Sequence, residues 1–116
     1  KGMLEATLGA MRTPAADVVA WIGPAAGPAR YEVGKDVFDV FVSHDADAVS
    51  CFIPTRPDRW LADLPALARR RLVARGMSPA DILGGDLCTI SEPTRFFSHR
   101  RDGRSGRIAT LAWMQP

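Results

Sequence analysis

Cysteine and histidine are scarce, with two of each among 116 residues. Cys51 and Cys88 lie far apart without CxxC spacing, and His44 and His99 are equally scattered. That pattern lacks the closely spaced ligand pairs of a structural zinc site. It also carries no local signature of a Cys–His nucleophile pair. Each cysteine reads as a small apolar core residue in a reducing compartment, with a single disulfide left open. His44, next to Asp45 and Asp47, reads as a solvated cation at a helix end. Long apolar runs are missing too: none reaches the length of a membrane span, and no charged-then-apolar leader opens the sequence. The expected setting is cytoplasmic, with no membrane partner. Repeats and low-complexity stretches are absent. The loop "GPAAGP" lacks the spacing and the Lys-Ser/Thr of a P-loop and is not GxGxxG.

What is present is a globular composition, 47% hydrophobic with a net charge of +2. The charge is unevenly placed. Residues 1–55 hold four Lys/Arg against seven Asp/Glu, and residues 56–116 hold eleven against six, leaving −3 and +5. Thirteen of the fifteen cations are arginine, the side chain suited to bidentate oxyanion recognition, although codon bias explains the count as well.

Periodicity gives the elements. Met3, Leu4, Leu8 and Met11 predict an amphipathic helix that starts without a cap and stops at Thr13-Pro14. "DVVAWIG" (17–23) predicts a buried strand, and 24–34 a loop. Val37, Phe38, Phe41 and Val42 predict a helix over 35–43. "AVSCFIPT" (48–55) predicts a strand stopped by Pro54. Residues 64–76 predict a helix with Asp63 as N-cap, Pro65 in the first turn and Gly76 at the end. Its "RRR" (69–71) reads as a solvated face. "SPAD" predicts a helical turn, "ILGGDLCTI" (82–90) a strand broken at Gly84-Gly85, and "RIATLAWM" (107–114) a closing strand. Helices and strands mix without a βαβ rhythm, which predicts an α+β sandwich.

"FFSHRRDGRSGR" (96–107) concentrates aromatic and cationic residues. Arg100, Arg101, Arg104 and Arg107 with Asp102 predict a hairpin turn able to present guanidinium groups to an anion. The competing reading is a solvated loop with one of Phe96 and Phe97 in the core. Asp86, after two glycines, either holds a turn or faces a substrate hydroxyl.

The stretch "GGDLCTISEPTRFFSHRRDGRSGRIATLAW" (84–113) resembles the C-terminal end of the YfiH/laccase-domain family. The matching positions are Gly84, Gly85, Asp86, Cys88, Thr89, Phe96, Phe97, Ser98, Arg100, Arg101, Asp102, Gly106 and Arg107. "WIGPAAGPARYEVG" (21–34), which contains Tyr31, is similar to that family's IGP-x-IGP-CC-YEVG loop, and "RWLADLPALARRRL" (59–72) to its W-x-x-DLPALAR helix. The family was long labelled a multicopper polyphenol oxidase and is regarded as zinc-dependent purine nucleoside phosphorylases.

The resemblance implies an α/β/α-like sandwich with a mixed sheet, of which residues 1–116 form one domain matching the C-terminal half. It implies phosphorolysis of adenosine, inosine or guanosine to free base and ribose 1-phosphate. The zinc (copper in the older label) would be held by upstream residues, so this chain would bind no metal and be inactive without its N-terminal half or a homo-oligomer partner. Tyr31, Asp86, Arg100, Arg101 and Asp102 become the candidates for substrate or phosphate binding, with Arg100 or Arg101 serving phosphate or pairing with Asp102. Ala26, Ala29 and Arg30 depart from the family loop, and His99 stands for its tyrosine. The alternatives are an anion- or nucleic-acid-binding module and a non-catalytic half that complements a partner chain. Nucleic acid is disfavoured because no aromatic–basic interleaving recurs.

Overall fold

The computed structural model describes residues 2–115. Helix α1 (Met3–Ala10) leads through a 3₁₀ turn to strand β1 (Ala20–Ile22). Strand β2 (Glu32–Gly34) runs straight into helix α2 (Lys35–His44), and a second 3₁₀ turn, Ala46–Cys51, precedes β3 (Phe52–Arg56) and β4 (Arg59–Ala62). Helix α3 (Leu64–Ala74), a 3₁₀ turn at Pro79–Asp81, β5 (Ile82–Gly84) and the short helix α4 (His99–Asp102) complete the chain. The class is α+β, as expected, with parallel and antiparallel pairing held in separate sheets. β1 and β5 pair in parallel, and β2-β4-β3 is antiparallel. No helix among the described residues is long and apolar enough to cross a membrane.

Helix α3 follows its sequence signals closely. The Asp63 carboxylate accepts from the Ala66 amide at 3.0 Å, Pro65 occupies the first turn, and Gly76 takes φ 100° just past the end. Leu67 and Leu72, on its inner side, enter two different apolar clusters. The first cluster gathers Val33, Ala48, Cys51, Phe52, Ala62 and Leu67 beneath α2. Phe38 stacks on Trp60 at 4.2 Å between centroids and meets Phe52 edge-on at 5.2 Å. The second cluster joins Leu72, Met77, Val18 and Ile82, so it fixes β1 and β5 against α3.

The elements depart from expectation in several places: the buried strand expected over 17–23 is confined to Ala20–Ile22, after a 3₁₀ turn at Ala15–Asp17, and Trp21 and Val19 are exposed. The segment 48–55 divides: Ala46–Cys51 is a 3₁₀ turn capped by Asp45, and the strand begins at Phe52. Pro54 does not stop it, because β3 is an edge strand with no ladder bond to lose on its open side. Arg59–Ala62 is a strand, turned back on β3 through Pro57-Asp58 with Asp58 at φ 57°. Residues 32–34, placed in a loop by sequence, pair with β4. Finally, 107–114 forms no strand; Ile108, Leu111, Trp113 and Met114 are exposed and without ladder partners.

The arginine run 69–71 is not a solvated face. Arg69 donates to the Gly84 carbonyl on β5. Arg70 grips both Asp45 oxygens at 2.8 and 3.0 Å. Arg71 lies 3.6 Å from Glu5 of α1 and over the Phe41 ring of α2. Three successive residues on a helix point about 100° apart, so each reaches a different neighbour.

Candidate functional site

Within 96–107, His99–Asp102 folds as a helical turn rather than the tip of a hairpin. Ser98, buried, caps α4 by accepting from the Arg101 amide at 3.2 Å, and Gly103 closes it at φ 72°. Neither Phe enters the core. Phe96 is half-buried beneath Arg95, 5.1 Å from guanidinium to centroid, and Phe97 is exposed.

The turn sends Arg100 and Arg101 to different work. Arg101 donates Nε and Nη2 to the Asp102 carboxylate at 2.9 and 2.7 Å. Its Nη1 reaches the Thr89 carbonyl at 2.7 Å and that of Ile90 at 3.4 Å, and Nη2 also reaches Phe96 O at 3.1 Å. A guanidinium has five N–H donors, and these contacts engage all of them. Arg101 is therefore a clip that ties residues 89–90 to 96 and α4. It has no donor left for an anion. Its partner Asp102 is held below the usual carboxylate range by that hydrogen bond, so Asp102 stays charged.

Arg100 is placed differently. Its guanidinium lies 4.7 Å from the Tyr31 ring centroid, and Nη1 donates to the Glu32 carbonyl at 2.7 Å. The Glu32 side chain is occupied below, where the Arg56 guanidinium (2.7 Å) and the Thr55 hydroxyl (2.9 Å) hold its carboxylate under its ordinary value. Around Tyr31 and Arg100 opens a cavity of about 380 Å³, lined also by Gly34, Asp36 and Arg59. The register Gly34↔Arg59 brings Arg59 to this rim. Among the described residues neither Arg59 nor Arg100 is ion-paired, so two guanidinium groups keep donors free beside one phenol. Such a set suits an oxyanion with several acceptor oxygens. Arg59 was not legible as a site residue, because only the antiparallel register carries it there.

Asp86 is exposed and lines neither this cavity nor the larger one. The larger cavity, about 970 Å³ between α1 and α3, is lined by Arg69, Arg70 and Arg71, of which Arg70 and Arg71 are ion-paired with Asp45 and Glu5 and Arg69 donates to the Gly84 carbonyl. The candidate site is taken at Tyr31, where two guanidinium groups without an ion-pair partner among the described residues lie beside a phenol.

A second feature ties the loop 24–31 to the segment after β5. Ala25 N donates to Leu87 O at 3.3 Å and Thr89 N to Ala25 O at 2.9 Å. Between them Cys88 Sγ accepts from the amides of Gly27 (3.2 Å) and Ser91 (3.4 Å). Burial pushes the Cys88 thiol up, but hydrogen bonds from the Ser91 side chain and from the backbone of Ser91, Gly27 and Ile90 together leave it below its ordinary value. Cys51, buried in the first cluster, is pushed up by burial. Both thiols are free. Arg30 is exposed in the same loop.

A shared lineage accounts for the loop and turn motifs. A purine nucleoside phosphorylase of Xylella fastidiosa (strain Temecula1) is 58% identical over 112 residues, 97% of this chain and 43% of its own length. The Escherichia coli K12 protein named purine nucleoside phosphorylase YfiH is 42% identical over 113 residues, covering 97% of this chain and 45% of that protein. A crystal structure of a Neisseria meningitidis protein of the DUF152 family superposes with a TM-score of 0.84 at 41% identity, over 88% of this chain and 41% of that one. The chain thus spans less than half the length of the relatives it matches. The family model described as multi-copper polyphenol oxidoreductase laccase matches residues 1–115, and the chain belongs to that family, the one that includes YfiH.

Proposed function

We propose that this chain is the phosphate-holding part of a purine nucleoside phosphorylase whose remaining part it needs for turnover. The observation that carries the reading is the 58% identity to a purine nucleoside phosphorylase along almost the whole chain. In that reaction a phosphate oxygen bonds to C1′ of the nucleoside. The bond from C1′ to the base nitrogen breaks, and its electron pair leaves with the base, which takes up a proton. Arg100 and Arg59 would bind the phosphate oxygens and Tyr31 would orient Arg100 through its ring face. Bound in this way, phosphate is held in one orientation before attack, which lowers the entropic part of the barrier. Arg101 and Asp102 take no part in binding on this reading; they fix the turn that carries Arg100.

Zinc belongs to the same proposal, with its ligands outside these residues. Among the described residues no three His, Cys, Asp or Glu side chains gather as a metal-holding group, so they do not fit the ion and no step above runs through it. A nucleic-acid-binding reading draws little support, because much of the basic half is committed internally at Arg69, Arg70, Arg71 and Arg101.

The test is release of free purine base from inosine or adenosine with phosphate and zinc, followed by HPLC. The chain alone is expected to release none. The chain joined to the part that precedes the matched region of the Xylella relative is expected to release base. In the joined protein Arg100→Ala raises the KM for phosphate by about tenfold or more, the loss of one charged hydrogen-bonding group. An unchanged phosphate KM sinks the assignment of Arg100.

A further inference from the structure

The pair β1–β5 has two faces with opposite chemistry. Ala20, Ile22 and Ile82 face α3, packed with Val18, Leu72 and Met77. On the other face Trp21 pairs directly with Leu83, and Val19 lies two residues before Trp21 along the same side. These three are 54%, 53% and 66% exposed. Parallel strands are as a rule buried on both faces, and a two-stranded pair is marginal without cover. A Trp and a Leu aligned in register on an open sheet are an apolar patch, not scattered surface residues. Nor is α1 sealed: Leu8 reaches the second cluster, but Met3 and Met11 stay exposed.

The total surface says the same. A compact protein of 12.6 kDa exposes about 6,200 Å², whereas this chain exposes 8116 Å². The excess, about 1,900 Å², is more than twice the roughly 800 Å² that one partner covers in a standard interface. Part of that excess belongs to the exposed stretch 107–114, with Leu111, Trp113 and Met114, and the rest to faces such as this one. More than half of each relative's length lies outside the matched region, enough chain to supply the cover.

We infer that the open face of β1–β5, at Val19, Trp21 and Leu83, is the docking surface for the remaining part of the family fold, which lays an apolar surface on it. This rests on the reading of the chain as one part of a larger enzyme, but it does not depend on what that enzyme does. Burial of Trp21 by that part would also hold the strand ends that carry Gly84 and the loop after Ile22, and through that loop Tyr31.

The experiment compares two proteins: the 116-residue chain, and the same chain joined to the part preceding the matched region of the Xylella relative. Both carry Trp60→Phe and Trp113→Phe, and every tryptophan of the added part is replaced by phenylalanine, so that fluorescence reports Trp21 alone. Iodide quenching and light scattering are read on each. The expected result is a readily quenched Trp21 in the short chain and a blue-shifted Trp21, quenched several-fold less, in the joined protein. A Trp21 equally open in both proteins overturns the inference. So does a Trp21 already shielded in the short chain together with a discrete dimer mass, which would make a second copy the occupant. Purine base release is followed separately in the joined protein. Shielding without base release sinks the proposed function and leaves this interface standing.

Discussion

Gly84 offers the sharpest energetic test of the "GGD" stretch. It stands at φ 80°, where the Ile22↔Gly84 pair ends the parallel ladder and the next amide, Gly85 N, donates back to Ile22 O at 2.9 Å. A Cβ at this position would lie 2.5 Å from Ile22 O and 2.9 Å from Trp21 Nε1. Gly84→Ala thus adds two costs: left-handed strain, about 1–2 kcal/mol, and a backbone clash that resembles overpacking, about 1–3 kcal/mol. Gly76 separates them. It has φ 100°, but a Cβ there would meet only Ala15 Cβ at 3.5 Å, an ordinary contact. Gly76→Ala should cost only the strain. Urea unfolding followed by far-UV circular dichroism should therefore place Gly84→Ala below Gly76→Ala by about 1–3 kcal/mol. Equal losses for the two variants would refute the claim that strand approach, and not turn conformation alone, demands glycine at 84.

Three further outcomes are expected. Cys88, with its thiol held below the ordinary value, should react with iodoacetamide before buried Cys51, and its rate should reach half-maximum at a lower pH than that of Cys51; mass mapping of the labelled peptides checks the order. Glu32 is held below its ordinary 4.5 by Arg56 and Thr55, so its contribution to stability is present above that pH and is lost as pH falls through the folded value. Glu32→Gln should lower stability at pH 7–8, where the ion pair is present, and flatten the pH dependence of unfolding below about 4.5, so that the two proteins converge in acid. Arg101→Lys, which keeps the charge but not the fork, should raise amide hydrogen exchange across residues 89–103 while leaving α3 protected; unchanged exchange there would falsify the clip.

The legible parts of the fold were those with local causes. Helix α3 carries its own cap, proline and terminal glycine, and α2 shows one apolar face, so both are written in short-range pattern. What sequence missed was set by partners distant along the chain. Residues 32–34 look like loop because Gly34 and charged neighbours dilute the pattern, yet β4 supplies their ladder. Pro54 looked like a stop because its neutrality at an edge depends on where β3 sits in the sheet. The apolar run 107–114 has a strand's composition, but pairing needs an edge, and composition does not supply one. At the site, Tyr31 and Arg100 were singled out by motif and do meet, whereas Asp86 remains apart from them.

The arginines show why a charge count is a poor guide to a binding surface. Five cations among Arg69–Arg71 and Arg100–Arg101 occur as two runs, and each run divides its members by geometry. Within 69–71 helical rotation sends the guanidinium groups to β5, to Asp45 and to Glu5. Within 100–101 the short helix turns one guanidinium inward, to three carbonyls and a carboxylate, and the other outward onto a tyrosine face. A buried-side arginine whose donors are all spent rigidifies the turn; it cannot also exchange those donors for a substrate without releasing the segment it ties. That physical exclusion, more than the abundance of arginine, is what leaves Arg100 as the member of the pair able to meet an anion. It also means that a loss of activity in an Arg101 variant would report a displaced Arg100 and not a lost contact to substrate.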